Sequence, residues 1–185
     1  MHSAPMEAKG LTDAINGFLA DAKPLFAGLT IPEKLKSIAR DIEFGLYDPA
    51  IGDLAALALK GPKDVLEAAQ AMYEKVKPLA ESGLERAKAS EADGKKYAAY
   101  VEYSRVAAWF RKTDYEKTAS AALALLKKEK EVQDEIAARQ MLDQAKSLLA
   151  SGKKGDKESA PPILAALQKK YPNTEAAKEA AKLGK

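Results

Sequence analysis

Hydrophobic positions recur at helical spacing along nearly the whole chain, and the clearest run lies between Gly94 and Leu126. Ala99, Tyr103, Val106 and Phe110 stand at i, i+4, i+7 and i+11, one stripe of an α-helix. Tyr100 and Ala107 add a second apolar line beside it, and Tyr97, Val101 and Ala108 a third. Only Lys96, Glu102, Ser104 and Arg105 interrupt that surface, so the helix should be covered on more than one side. Thr113 then opens another helix with Glu116 three residues on, the capping-box spacing that satisfies two orphan N–H groups reciprocally. A covered helix, a tight turn and a second helix form a hairpin, and half of the chain's aromatic residues fall in it.

The flanking segments keep the same period. Leu11, Ile15, Phe18, Leu19, Ala22 and Phe26 predict a first helix, ended by Pro24 and Gly28. Thr30, Pro32 and Glu33 read as N-cap, first-turn proline and capping glutamate of a second, with Leu35, Ile38, Ala39 and Ile42 inward and a stop near Gly45. Asp48 and Pro49 start a third, closed by Gly61 and Pro62. A fourth begins near Lys63, carries Val65, Ala69, Met72, Val76 and Leu79, bends around Pro78 and the Ser82–Gly83 pair, and continues to the Gly94 turn. Beyond the central hairpin, Val132 to Ala150 makes a long helix. Ser159 is expected to cap the next, with Pro161 and Pro162 in its first turn and Ala160, Leu164, Leu167 and Tyr171 as its stripe. Thr174 and Glu175 start a short terminal helix. No stretch alternates in polarity with β-branched enrichment, so the fold class is all-α.

A repeat emerges at an offset of 61 positions. Ala99, Tyr103, Val106 and Phe110 fall on Ala160, Leu164, Leu167 and Tyr171, and Thr113–Asp114 on Thr174–Glu175. Gly94, Lys117 and Ala119 fall on Gly155, Lys178 and Ala180. The line Ala160, Leu164, Leu167, Pro172 resembles the second helix of a tetratricopeptide repeat, and Gly94 and Tyr97 before Ala99 are similar to the family's turn. Arg111 stands where the first copy would need the proline. Gly83 and Gln144 take the family's tryptophan positions, Ser90 and Ser151 its tyrosine positions, and 61 residues exceed the ~34 of a regular array. The resemblance implies antiparallel helical hairpins over residues 63–185; the periodic positions before them make 11–62 a helical segment expected to pack on that region, and 1–10 reads as a disordered leader. The ending from Tyr171 to Lys178 looks like that of hairpins in exported bacterial proteins, and like helical tails joined to thioredoxin-like domains.

Composition narrows the chemistry. The 185 residues include no cysteine, which excludes disulfides, zinc-thiolate sites and thiol catalysis. The net charge of +3 is spread unevenly, with −2 over residues 1–110 and +5 over 111–185, and no run of like charges suggests a nucleic-acid arm. No apolar run reaches the ~18–20 residues that cross a bilayer, so membrane insertion is not expected. Exported or periplasmic localisation is favoured over cytoplasmic by the resemblance alone.

The single histidine, His2, stands in the leader and offers no base or metal site. Carboxylate pairs such as Asp134–Glu135 and Glu91/Asp93 read as solvated helix faces, and a di-metal bundle would need inward Glu-x-x-His pairs. Gly94-Lys95-Lys96 and Gly152-Lys153-Lys154-Gly155 are turns that do not complete a P-loop. No catalytic residue, metal or cofactor is assigned. Those of Tyr97, Tyr100 and Trp109 that are not buried, with Arg105 beside them, are the candidates for a partner-binding surface, since aromatics and arginine anchor interfaces. The reading is a non-enzymatic helical-repeat protein that binds or scaffolds another protein. An accessory helical domain of an envelope protein and a small-molecule binder with a pocket between helices are the alternatives, and oligomeric state stays open.

Overall fold

The structure, a computed structural model, describes residues 24–151 and 153–183, and every regular element among them is helical. The leader, His2 and most of the expected first helix lie outside the described residues. Tertiary contacts divide the chain into two compact units, Met1–Pro78 and Leu79–Lys185.

In the first unit, a 3-10 turn at Glu33–Leu35 leads into α1 (Lys36–Glu43), followed by α2 (Tyr47–Lys60) and the start of α3 (Lys63–Ala92). Thr30 caps nothing: the segment before the 3-10 turn is not helical, Pro32 precedes it, and α1 begins only at Lys36. The cause is local, because Ile31 precedes a proline and is pushed out of the α region. Gly45 does close α1. At φ 77° it lets the Leu46 N–H reach the Asp41 carbonyl while its own reaches Ile42, a Schellman stop. Asp48 is non-helical (φ −100°, ψ 120°), so the helical part of α2 starts at Pro49 as expected. Leu35, Ile42, Ile51, Leu54, Val65, Met72 and Val76 are buried, and α1 packs on α2.

The second unit holds the rest of α3, then α4 (Lys96–Trp109), α5 (Asp114–Leu126), α6 (Lys130–Ala150), α7 (Lys154–Lys170) and α8 (Glu175–Leu183). Helix α4 packs on α5 and α6, α6 on α7 and α8, and α7 on α8. The whole Ala99, Tyr103, Val106, Phe110 stripe is buried. Ala160, Leu164 and Leu167 join Ala138, Leu142, Ala145, Ala176, Ala177 and Ala180 in a second cluster, with Tyr171 half-buried at its edge. Ser159 does not cap α7, which starts five residues earlier. Its hydroxyl donates to the Gly155 carbonyl at 2.9 Å, and Pro161 and Pro162 lie inside the helix. The carbonyls those prolines leave without a donor belong to Lys157 and Glu158, both exposed residues where water can serve.

Two turns share their bonding at the offset of the sequence repeat. The Phe110 N–H donates to the Val106 carbonyl at 3.0 Å, and Tyr171 to Leu167 at 2.9 Å. The Thr113 hydroxyl donates to the Phe110 carbonyl at 2.6 Å, and that of Thr174 to Tyr171 at 2.8 Å. The same two hydroxyl oxygens accept from Glu116 N–H at 3.4 Å and Ala177 N–H at 3.1 Å. Thr113 is thus the N-cap of α5, as its spacing with Glu116 predicts.

Candidate functional site

The second unit carries a cleft of about 1170 Å³. One wall is the end of α3 and the first residue of the turn after it, where Arg86, Ala89, Ser90 and Asp93 stand at i, i+3, i+4 and i+7. The chain then reverses through Gly94, at φ 73°, whose Schellman bonds run from Lys95 N–H to Ser90 and from Gly94 N–H to Glu91. That reversal places Tyr97, Ala98 and Val101 of α4 as the floor, with Glu102 at its rim. The start of α6 gives the facing wall with Lys130, Glu131, Asp134, Glu135 and Arg139, and the turn Asn173–Glu175 closes one end.

Its charges are largely compensated within the walls. Arg86 pairs with Glu102 at 3.0 Å, Lys95 with Asp93 at 3.0 Å and Arg139 with Glu135 at 2.9 Å. Between these pairs lie Ala89, Ala98, Val101 and the half-buried ring of Tyr97. The Arg139 guanidinium stands 5.8 Å from the Tyr97 ring centroid, a cation–π distance. Burial pushes the Tyr97 phenol up, against the lowering pull of Arg139. An occupant therefore meets an apolar floor with a charged, hydrogen-bonding rim, the anatomy of a recognition site.

Glu135 is the residue that sequence reasoning misplaced. It is not on a solvated face but 4% exposed, and its carboxylate accepts the Glu175 N–H at 2.7 Å and the Ala176 N–H at 3.1 Å. Arg139 donates to the same carboxylate and, through Nη1, to Glu179 on α8 at 3.2 Å. The first amides of α8 need acceptors, and they take this carboxylate from 40 positions upstream, where the positive end of the helix dipole favours an acid. Glu116 does a different task near α5: it accepts the Lys112 N–H at 2.5 Å, ahead of the Thr113 cap.

Of the expected interface residues, Tyr97 lines the cleft. Tyr100 stacks behind it with ring centroids 6.0 Å apart and an interplanar angle of 22°. Arg105 is exposed and pairs with Glu102 at 2.7 Å, holding a rim residue from outside. Trp109 is half-buried at the end of α4 and is not brought to the cleft. Among the described residues, no three His, Asp or Glu side chains converge as a metal ion would need, and no helix is long and apolar enough to cross a membrane. Ser90 and Thr174 bring hydroxyls, that of Thr174 already committed to its own turn. Compared with known proteins, the chain matches no family model, no curated protein and no solved structure.

Proposed function

We propose that the chain is a non-enzymatic binding module, built of tetratricopeptide-like hairpins in its second unit, that holds a segment of another protein in the α3/α4/α6 cleft. One observation carries the reading: a cleft of about 1170 Å³ with an apolar floor and a half-buried tyrosine in it. Small-molecule sites run to ~300–1,000 Å³ and enclose their ligand, so this volume suits several residues of peptide better than a metabolite. Tyrosine offers broad contact area at low entropic cost, which is why it anchors interfaces. The recurring Thr-capped turn supports the repeat reading beside it.

Selection from a random peptide library tests this, run on the parent chain and on Ala98→Arg. Ala98 is exposed on the cleft floor, so the long charged side chain plugs the site without entering the core. Peptides enriched on the parent and lost on the folded Ala98→Arg chain are the expected result. Enriched peptides that bind both chains alike, or no enrichment on the parent, would remove the cleft from the account.

A further inference from the structure

Helix α8 supplies one end of the cleft through its first residue and the turn before it, yet it is held on the unit in an unusual way. The side chains it buries are Ala176, Ala177 and Ala180, all small, and its single large apolar residue, Leu183, is 42% exposed. Burial per methyl group is modest, so alanines give a helix little hydrophobic anchorage. Polar contacts add to that hold, the buried carboxylate of Glu135 first among them. Glu135 accepts two N-terminal amides of α8, one of them buried, and Arg139 and Lys146 both reach Glu179 one helical turn further on. The hub of that attachment, Glu135 with Arg139, faces the cleft.

We infer that α8 is a separately opening wall of the cleft, latched by the Glu135 carboxylate. Elements with few buried apolar contacts open locally at lower free energy than the domain unfolds. Here, losing one carboxylate orphans two amides and strips Arg139 of its closest partner at once. Opening frees the Asn173–Glu175 end and lengthens the cleft. An occupant that touches that end favours the closed wall, because binding shifts the population toward the state it contacts. The latch is independent of what the cleft binds, so it can be tested with no ligand.

The chain has no cysteine, so single thiols report cleanly. Ala177→Cys places one on α8 at a 4% exposed position, and Ala99→Cys places one on α4 at a fully buried position. Each is labelled with an aromatic disulfide reagent under native conditions, with and without Glu135→Gln. Glutamine keeps one acceptor oxygen for two amides and removes the charge facing Arg139. The Ala177→Cys thiol is expected to react at least about tenfold faster than the Ala99→Cys thiol, and Glu135→Gln to speed the first by about another tenfold while leaving the second unchanged. Equal rates at the two positions in the parent would mean that α8 opens only with the unit and would overturn the inference. Equal acceleration of both by Glu135→Gln would make Glu135 a general stabiliser, which also overturns it. Should Ala177→Cys not fold, amide exchange over 175–183 against 99–110 in the cysteine-free chain reads the same difference.

Discussion

Gly83 of α3 lies against Val106 of α4 so closely that a Cβ at position 83 would stand 2.7 Å from Val106 Cγ2. Two effects oppose each other there. A mid-helix glycine costs roughly 0.5–1 kcal/mol against alanine, so Gly83→Ala would stabilise an isolated helix. Overpacking a filled interface costs about 1–3 kcal/mol, and a buried β-branched side chain has one favoured helical rotamer and cannot swing aside. The clash wins. Gly83→Ala should lower stability by about 1–2 kcal/mol in urea melts, and in a Val106→Ala background the same change should be neutral or stabilising. A gain in the parent chain would mean that the helices do not approach so closely.

Phe110 is fully buried and meets Tyr115 edge to face, with centroids 5.5 Å apart. Truncating it removes transfer energy and leaves a cavity, ~3–5 kcal/mol together. Domains hold only ~5–15 kcal/mol in all, so Phe110→Ala should lower the melting temperature by many degrees. Arg111, exposed and one position on, should tolerate alanine within about 0.5 kcal/mol. Paired thermal melts compare them directly, and a collapse of Arg111→Ala alone would put the stripe on the wrong face.

Both predictions mark what the sequence could disclose. The Ala99, Tyr103, Val106, Phe110 stripe is a periodicity of near neighbours, and such patterns survive folding because one helix face must be buried whatever it meets. The Thr113 cap and the Gly45 and Gly94 stops are equally local. Gly83 was legible only as a bend, since its partner lies 23 positions on and nothing in the glycine names it. Glu135 was illegible for the same reason. A carboxylate on a charged helix looks solvated until a distant helix end needs it. Thr30 and Ser159 failed differently: each carries a good capping side chain, but Pro32 after Thr30 and the extended Lys153 ahead of α7 moved the starts elsewhere. The cleft is assembled from four separate stretches, so of its lining only Tyr97 stood out beforehand.

Thr113 and Thr174 offer a matched pair. Each hydroxyl donates backward to an aromatic residue's carbonyl and accepts an amide in the first turn of the next helix. Losing a threonine N-cap costs about 0.5–2 kcal/mol. Thr113→Ala and Thr174→Ala should each fall in that range. They share no hydrogen-bond partner, so the double variant should show their sum within about 0.5 kcal/mol. Chemical denaturation of the four proteins gives the cycle, and a loss for one threonine but not the other would break the equivalence of the two turns.

Tyr103 should make the protein sensitive to alkali in a defined window. Burial, then the hydrogen bond its hydroxyl donates to Glu91 at 2.9 Å, push the phenol up from 10.0 to about 12. The folded chain therefore holds the proton more tightly than the unfolded chain does. Below pH 10 both states are protonated, and the phenol's contribution to stability is complete. Between pH 10 and 12 the unfolded phenol ionises while the folded one resists, so stability declines, and above the folded pKa the contribution is gone. Tyr103→Phe removes the hydrogen bond and this slope together. The variant should be less stable than the parent near neutral pH, and the gap should close as the pH climbs through that window. Urea melts of the two proteins at stepped alkaline pH supply the test, with tyrosinate absorbance following the phenols. A gap that stays constant across the window would show that the Tyr103 phenol ionises as an ordinary one and that its bond to Glu91 does not hold in solution.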